Sequence, residues 1–356
     1  MKINFVVPEI VRSGGIRVIF EYANRLTERG HNIKLFTPII PFNIYKGIIN
    51  LPFIRYRIKY AFRYLFSKSV IPSNIFEKKF EIKFILFANN FFMPPADAVI
   101  ATAWQTAESV YRLKKSKGKK FYLIQDYEIW YGRAEKINES YTLPMNRIVI
   151  SEYLRRLLRE KFNADSEKIL IGRDYDTYKN LSKIYHTPRT ILFMDHALDN
   201  KNTLGAISII EKIKLKYPGT KVMSFGLSRF HKMPDYVEFH ENPYENKIVR
   251  LYCDSDIFLF TSTHEGFGGP PAEAMACKCA VVGNAVGAMP EYAVNNETAI
   301  LANPDKPEEL YNGLCYLLDN ENELKRISEA GCNYVKKILN WDISLDKFEE
   351  LISKES

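Results

Sequence analysis

The stretch from Asp256 to Ala276 constrains the fold most, because a strand, a glycine-rich loop and the start of a helix follow one another directly. Asp256-Ile-Phe-Leu-Phe260 is a short apolar run, which is typical of a buried parallel strand. Pro270 and Pro271 suit the first turn of a helix through Ala272-Glu-Ala-Met-Ala276. In an open α/β sheet such a loop lies at the carboxyl ends of the strands, where the free N–H groups of the helix start attract anions.

A second strand, glycine turn and helix start occur near the beginning of the sequence. Lys2 to Val7 is strand-like, and Gly14-Gly15 precede a stretch whose apolar positions 16, 19, 20, 23 and 26 fall on one helical face. Two glycines allow a backbone to approach a phosphate closely. Because Gly-Gly lacks the full G-x-G-x-x-G pattern of a dinucleotide site, a simple tight turn is the alternative.

The length of 356 residues exceeds one ordinary core and predicts two domains. Strands and helices alternate through the first half, and the alternation starts again at Thr190-Ile-Leu-Phe-Met194 after a polar stretch, 173–189, that is typical of a linker. We therefore predict an α/β protein with two Rossmann-like, doubly wound domains, 1–180 and 190–340. The last helix, about 342–356, is a candidate to pack back on the first domain.

The charge of the chain indicates an anionic partner. The formal net charge is +8, which suits a nucleotide, a nucleic acid or a membrane surface. Nucleic acid binding is not expected, because no recognition motif accompanies the charge. The sequence contains no run of about 18 apolar residues, and its start enters a strand directly. We therefore expect a cytoplasmic protein that can associate peripherally with a membrane.

The segment 54–68 interleaves basic and aromatic residues. Two interpretations stay open for it. It can contact a membrane or a lipid-linked acceptor through a basic, aromatic helix face. The alternative is an aromatic core helix whose cations extend along its surface into water.

Two polar residues follow other predicted strands at the edge where sites form. Asp126 comes after Phe121-Tyr-Leu-Ile124, and Lys201 lies in the loop after the strand at 190–194. Asp126 is a candidate for orienting a substrate, with a cap of the next element as the alternative. Lys201 lies at a predicted strand-to-helix turn, where its ammonium group can pair with a phosphate as a compact point charge. The alternative is that Lys201 is an ordinary surface lysine.

These motifs resemble those of retaining glycosyltransferases of family 4, which have the GT-B fold of two Rossmann-like domains facing across a cleft. The resemblance rests on Gly14-Gly15, on the E-x7-E pair Glu265 and Glu273, and on the turn Gly287…Pro290-Glu291. It spans most of the chain and is strong in the second half and loose in the first. The segment Tyr122-Leu-Ile-Gln-Asp-Tyr-Glu128 is also similar to a subgroup that transfers rhamnose from a dTDP donor.

The resemblance implies an enzyme that moves a sugar, rhamnose in that subgroup, from a nucleotide-diphosphate donor to a glycan or lipid-linked glycan acceptor with retention. The pathway would be synthesis of surface polysaccharide or another glycan. No metal and no cofactor beyond the donor are implied. An epimerase of nucleotide sugars and a nucleotide- or glycan-binding subunit without catalysis are the alternatives.

The resemblance also implies roles for single residues. Glu273 would accept hydrogen bonds from the ribose hydroxyls, and Glu265 would hold the sugar as a catalytic residue together with the acceptor-orienting Asp126. The family usually has an Arg five residues before its Lys, and here His196 takes that place before Lys201. The remaining donor contacts would come from backbone amides, which belong to Gly15, Gly266, Phe267 and Gly268. Because a histidine has an ordinary pKa of about 6.5, His196 would neutralise a phosphate more weakly than an Arg, or in a pH-dependent way.

Overall fold

The structure is a computed structural model of the chain. It describes residues 1–11, 13–39, 55, 58–59, 61–62, 78–129, 134–175, 183–243 and 246–354. The chain divides into two compact units. The first contains Met1–Leu170 and Asp342–Ser356, and the second contains Ile171–Trp341.

The first unit is built on a parallel sheet with seven strands in its described part, in the order β3-β2-β1-β4-β5-β6-β7. The strands are β1 Lys2–Val6, β2 Asn32–Pro38, β3 Glu81–Ile85, β4 Ala98–Ala101, β5 Lys119–Ile124, β6 Asn146–Val149 and β7 Glu167–Lys168. The helices between them are α1 Gly14–Glu28, α2 Trp104–Tyr111, α3 Ala134–Thr142 and α4 Glu152–Phe162.

Helix α1 confirms the helical face predicted from the sequence. Ser13 is its N-cap, and the Ser13 side chain accepts a hydrogen bond from the amide of Ile16 at 3.3 Å. The apolar positions at 16, 19, 20, 23 and 26 are all buried. The helix ends at Glu28 with Arg29 as its C-cap, and Gly30 then takes a φ of +87°, a conformation that glycine adopts without steric cost.

The last helix, α11 (Trp341–Ser353), packs on the sheet and on α1 of the first unit. The ring of Phe348 lies 6.3 Å from that of Phe5 and 5.0 Å from that of Tyr22. At the end of α1, Arg29 forms ion pairs with three carboxylates of this helix, Asp342, Asp346 and Glu349. The first unit is therefore assembled from two separate stretches of the chain.

The second unit contains a parallel sheet with six described strands in the order β10-β9-β8-β11-β12-β13. The strands are β8 Thr190–Met194, β9 Lys221–Gly226, β10 Val237–Glu241, β11 Ile257–Phe260, β12 Ala280–Asn284 and β13 Ile300–Ala302. The helices are α5 Thr203–Lys216, α6 Asn246–Cys253, α7 Gly269–Ala276, α8 Met289–Tyr292, α9 Pro307–Asp319 and α10 Glu321–Ile338.

The central strand β11 of the second unit is apolar and buried along its whole length, as predicted. Its neighbours are β8 and β12. Asp256, which precedes the strand, is also buried, and its carboxylate accepts the amide of Thr190 at 2.8 Å. This contact ties the beginnings of β8 and β11 together at the edge opposite the glycine-rich loop.

Both sheets change direction beside their first strand. The chain proceeds outward from β1 through β2 to β3 and then returns to β4 on the other side, and β8, β9, β10 and β11 repeat this order. In doubly wound sheets, ligands bind at the carboxyl ends of the two strands that flank such a switch. Ligands are therefore expected at the loops after β1, β4 and β5 in the first unit, and after β8, β11 and β12 in the second.

The segment 54–68, predicted either to contact a membrane or to pack in the core, lies mostly outside the described residues. Of those described there, Arg55 is exposed, and Phe62 retains 57% of its accessible surface. Over the described ranges, no helix combines the length and the apolar composition needed to cross a membrane.

Candidate functional site

The loop between β11 and α7 carries Glu265, and helix α7 itself carries Glu273. Helix α7 begins at Gly269 after Gly268, which caps it with a φ of +85° and a ψ of 66°. Pro270 and Pro271 occupy its first turn, as the sequence predicts. Glu265 precedes this turn and Glu273 follows it on the helix, so the two carboxylates frame the start of α7.

Glu265 is paired with Lys201. The Lys201 Nζ lies 2.6 Å from Oε1 of Glu265, and their side chains are 18% and 9% exposed. Gly287 packs against the same residue from the loop after β12 with a φ of +61°, and a Cβ at this position would lie 2.8 Å from the Glu265 carbonyl oxygen. A side chain at Gly287 would therefore displace Glu265.

The loops after β8 and β11 are joined by hydrogen bonds. The amide of Thr263 donates to the carbonyl of Asn200 at 2.8 Å, and the Asn200 side chain donates to the carbonyl of His264 at 3.0 Å. The hydroxyl of Thr261 donates to the carbonyl of Lys201 at 3.1 Å. These bonds fix Lys201 beside the glycine-rich loop.

His196 lies in the same loop as Lys201 and is half-buried. Burial and the nearby charge of Lys201 lower the pKa of the His196 imidazole from its ordinary value. The Nδ1 atom of His196 accepts a hydrogen bond from the amide of Leu198 at 3.0 Å, so it carries no proton in this arrangement. His196 is therefore uncharged near pH 7, and its pKa lies below the ordinary value of about 6.5 that the sequence analysis assumed.

Glu273 faces a cation that the sequence analysis missed. Nη1 of Arg173 lies 3.6 Å from Oε1 of Glu273, and the two side chains are 15% and 13% exposed. Tyr252 donates its hydroxyl to the other carboxylate oxygen at 3.5 Å. Arg173 belongs to the stretch assigned to a linker, and only its tertiary contact with α7 reveals its place at the site.

Phe267 is buried rather than presented to solvent. Its ring stacks on that of Tyr292 at 5.5 Å between centroids, and the guanidinium of Arg173 lies 5.1 Å from its centre. The hydroxyl of Tyr292 donates to the carbonyl of Gly268 at 2.5 Å. Together with buried Gly266, these contacts hold the loop, so that any donor contact from Phe267 is expected to come from its backbone.

In the first unit, Gly15 and the end of β5 come together. The side chain of Gln125 donates to the carbonyl of Gly15 at 3.3 Å. Asp126 accepts the amide of Tyr127 at 2.8 Å, and the Asp126 carbonyl accepts the hydroxyl of Tyr141 at 3.2 Å. Gly15 and Asp126 thus lie at one edge of one sheet, and their roles stay predictions.

Glu128 is a second carboxylate in this part of the first unit, and the sequence analysis did not single it out. Its Oε2 accepts the amide of Trp104, at the start of α2, at 3.4 Å. Burial, with a smaller contribution from the charge of Asp126, raises the pKa of Glu128 to about 7. Its position after β5 was the available signal, but the burial that alters its acidity depends on packing against α2 and α3.

Two parallel-sheet, Rossmann-like units with this strand order define the GT-B fold. The HepE protein of Anabaena, solved with UDP and glucose, superposes with a TM-score of 0.70 over 100% of both chains at 13% identity. Residues 174–334 match the family described as Glycosyl transferases group 1. The matched residues belong to the second unit and include Glu265 and Glu273.

Two curated relatives resemble parts of the chain. One is an MMP alpha-(1->4)-mannosyltransferase of Mycolicibacterium hassiacum, 27% identical over 38% of this chain and 32% of its own length. The other is a phosphatidyl-myo-inositol mannosyltransferase of Mycobacterium tuberculosis, 22% identical over 56% of this chain and 57% of its own length. The chain therefore spans about a third of the length of the first relative and somewhat more than half of the length of the second.

Proposed function

We propose that the chain transfers a hexosyl group from a nucleotide-diphosphate sugar to a glycan or lipid-linked glycan acceptor, with retention at the anomeric carbon. The observation that carries this proposal is the pair of carboxylates at the start of α7, one held by Lys201 and the other beside Arg173. Both lie at the carboxyl edge of a doubly wound sheet, where anionic ligands bind.

The donor would occupy this edge through complementary groups. Glu273 would accept hydrogen bonds from the ribose hydroxyls, since a carboxylate is a strong acceptor. The amides of Gly266, Phe267 and Gly268, together with the start of α7, would face the diphosphate. Lys201 donates a hydrogen bond to Glu265. A bound diphosphate would share the charge of Lys201 and leave Glu265 to accept hydrogen bonds from the sugar.

The chemistry requires mainly electrostatic stabilisation. As the bond between sugar and phosphate loosens, negative charge grows on the leaving diphosphate and an oxocarbenium-like sugar forms. Lys201 and the N-terminus of α7 would stabilise that charge. The acceptor hydroxyl would attack the face from which the phosphate leaves and pass its proton to a phosphate oxygen, with Asp126 orienting the acceptor. No protein nucleophile is assigned.

The identity of the sugar has two candidates. The names of the curated relatives favour mannose, and a lipid-linked acceptor is in keeping with the phosphatidyl-myo-inositol enzyme. The segment 122–128 favours rhamnose from a dTDP donor. A panel of GDP-mannose, dTDP-rhamnose and UDP-glucose, read as thermal stabilisation and then as sugar transfer, distinguishes them, since a ligand at 100 times its Kd adds about 2.7 kcal/mol.

Two substitutions test the roles of the glutamates. Glu273→Ala is expected to weaken binding of the nucleotide diphosphate at least about tenfold, or about 1.4 kcal/mol, in calorimetry. Glu265→Gln is expected to reduce turnover while leaving that affinity within a few-fold of wild type. Unchanged nucleotide affinity in the first variant would remove the ribose assignment, and wild-type turnover in the second would remove Glu265 from the catalytic residues.

One observation favours a second candidate, a nucleotide- or glycan-binding subunit without catalysis. The uncharged His196 leaves one cation fewer beside the proposed diphosphate than the family pattern provides. Tight nucleotide binding without transfer to any acceptor pool would support this candidate. Incubation with donor alone tests an epimerase, because epimerisation needs no acceptor.

A further inference from the structure

Arg173 is held at the start of α7 by several contacts within the second unit. Its backbone amide donates to the carbonyl of Leu339 at 3.0 Å, which anchors the residue to the end of α10. A Cβ built on Gly269 would lie only 2.8 Å from Nη2 of Arg173, so the guanidinium fills the space that this glycine leaves. Its side chain is 15% exposed.

The guanidinium of Arg173 is only partly satisfied by these neighbours. At 3.6 Å, the contact with Glu273 is an ion pair rather than a hydrogen bond. The ring of Phe267 provides a cation–π contact but accepts no conventional hydrogen bond. Among the described residues, the buried Nε of Arg173 has no hydrogen-bond partner. The guanidinium is therefore fixed in place while some of its hydrogen-bonding capacity stays unused.

The carboxylate of Glu273 is held from two sides. The guanidinium of Arg173 lies 3.6 Å from one carboxylate oxygen, and the hydroxyl of Tyr252 lies 3.5 Å from the other. These two contacts limit the directions in which the carboxylate can turn. A carboxylate is a strong acceptor for a hydroxyl group, so its orientation matters for a ligand that carries hydroxyls.

We propose that Arg173 is a positioning residue for the nucleoside diphosphate, acting through Glu273. This inference rests on the proposed function and adds to it a residue outside the glycine-rich loop. Arg173 keeps the Glu273 carboxylate oriented toward the ribose hydroxyls, and Phe267 and Gly269 fix the plane of the guanidinium. The effect belongs to donor binding, so KM for the donor should rise while kcat changes little.

A double-mutant cycle distinguishes this role from direct contact with phosphate. Calorimetry with GDP, UDP and dTDP is applied to the wild type, Arg173→Gln, Glu273→Ala and the double variant. For the nucleotide that the wild type binds best, Arg173→Gln is expected to raise Kd about tenfold. In the Glu273→Ala background the same change is expected to alter Kd less than twofold, because coupled residues are not additive. Full additivity would overturn the positioning role.

Three further variants protect the test from a simple loss of folding. Gly269→Ala is expected to push the guanidinium of Arg173 away from Glu273, and it should raise Kd at least threefold in the wild-type background but less than twofold in Arg173→Gln. Arg189→Gln removes a comparable ion pair, with Glu321 at 2.8 Å, at the opposite edge of the same sheet and is expected to leave Kd unchanged. Arg173→Lys, which keeps the charge, is expected to recover most of the affinity.

The outcomes separate this inference from the proposed function. A wild-type chain that binds none of the three nucleotides overturns both. If the wild type binds a nucleotide and both Arg173→Gln and Gly269→Ala bind it with the same Kd, the role of Arg173 is overturned and the proposed function is not.

Discussion

Glu128 offers a direct test of the electrostatics of the first unit. Its carboxyl is packed at the start of α2, and burial raises its pKa to about 7 from an ordinary value of 4.5. Glu128→Gln replaces it with a neutral group of nearly equal size. The substitution removes the ionisation and preserves an oxygen that can accept the amide of Trp104.

The direction and size of the effect follow from the two pKa values. The pKa of Glu128 is higher in the folded state than in the unfolded state. The contribution of Glu128 to the free energy of unfolding is therefore greatest below the unfolded-state pKa near 4.5, and it is lost as the pH rises through about 7. The gap between these values corresponds to about 3 kcal/mol, at about 1.4 kcal/mol for each tenfold change in proton affinity. At pH 8 the variant is therefore expected to be more stable than wild type by up to about 3 kcal/mol, and near pH 4 the two should be equal.

Urea unfolding between pH 4 and pH 8 measures this difference. Hydrogen exchange of peptides from α2 and β5 assigns the stability difference to the first unit. At each pH these peptides have the same intrinsic exchange rate in the wild type and in Glu128→Gln. Glu139→Gln, at an exposed position on α3, makes the same change in charge and should show no such trend. A difference between wild type and Glu128→Gln that stays constant across this range would refute the reasoning.

Three further predictions concern other residues. Nucleotide-diphosphate affinity should rise as the pH falls from 7 to 5.5, because burial and the charge of Lys201 lower the pKa of His196 and a bound diphosphate favours its charged form. Calorimetry should find no such rise in His196→Gln. Arg29→Met should lose about 1–2 kcal/mol in urea unfolding by removing ion pairs to α11, and an equal loss at 1 M salt would exclude an electrostatic origin. Gly287→Ala should cost about 1–3 kcal/mol and reduce transfer, because its Cβ would meet the Glu265 carbonyl; wild-type stability and transfer would contradict this.

The sequence was most informative where local patterns and chain topology coincide. An apolar run, a glycine turn and two prolines predicted the strand, loop and helix around Glu265 and Glu273, and each element is present. In such a segment the backbone preferences of a few neighbouring residues determine the structure. The same reasoning correctly predicted α1 from its apolar positions and Gly14-Gly15.

The sequence was least informative where function depends on distant partners. Arg173 lies in a polar stretch with no local pattern, and its contact with Glu273 bridges 100 positions of the chain. Glu128 has an ordinary sequence context, and its altered acidity depends on burial against α2. The uncharged state of His196 likewise depends on Lys201 and on the amide of Leu198.

The two-part construction of the first unit has a consequence for the order of folding during synthesis. The second unit is one continuous stretch and can fold as soon as it leaves the ribosome, whereas the first lacks α11 until that later stretch has been made. Until then the faces of Phe5 and Tyr22 that receive Phe348 stay uncovered. Nascent chains stalled before residue 342 should therefore present an aromatic surface to chaperones and proteases, although all seven described strands of the first sheet have already been synthesised.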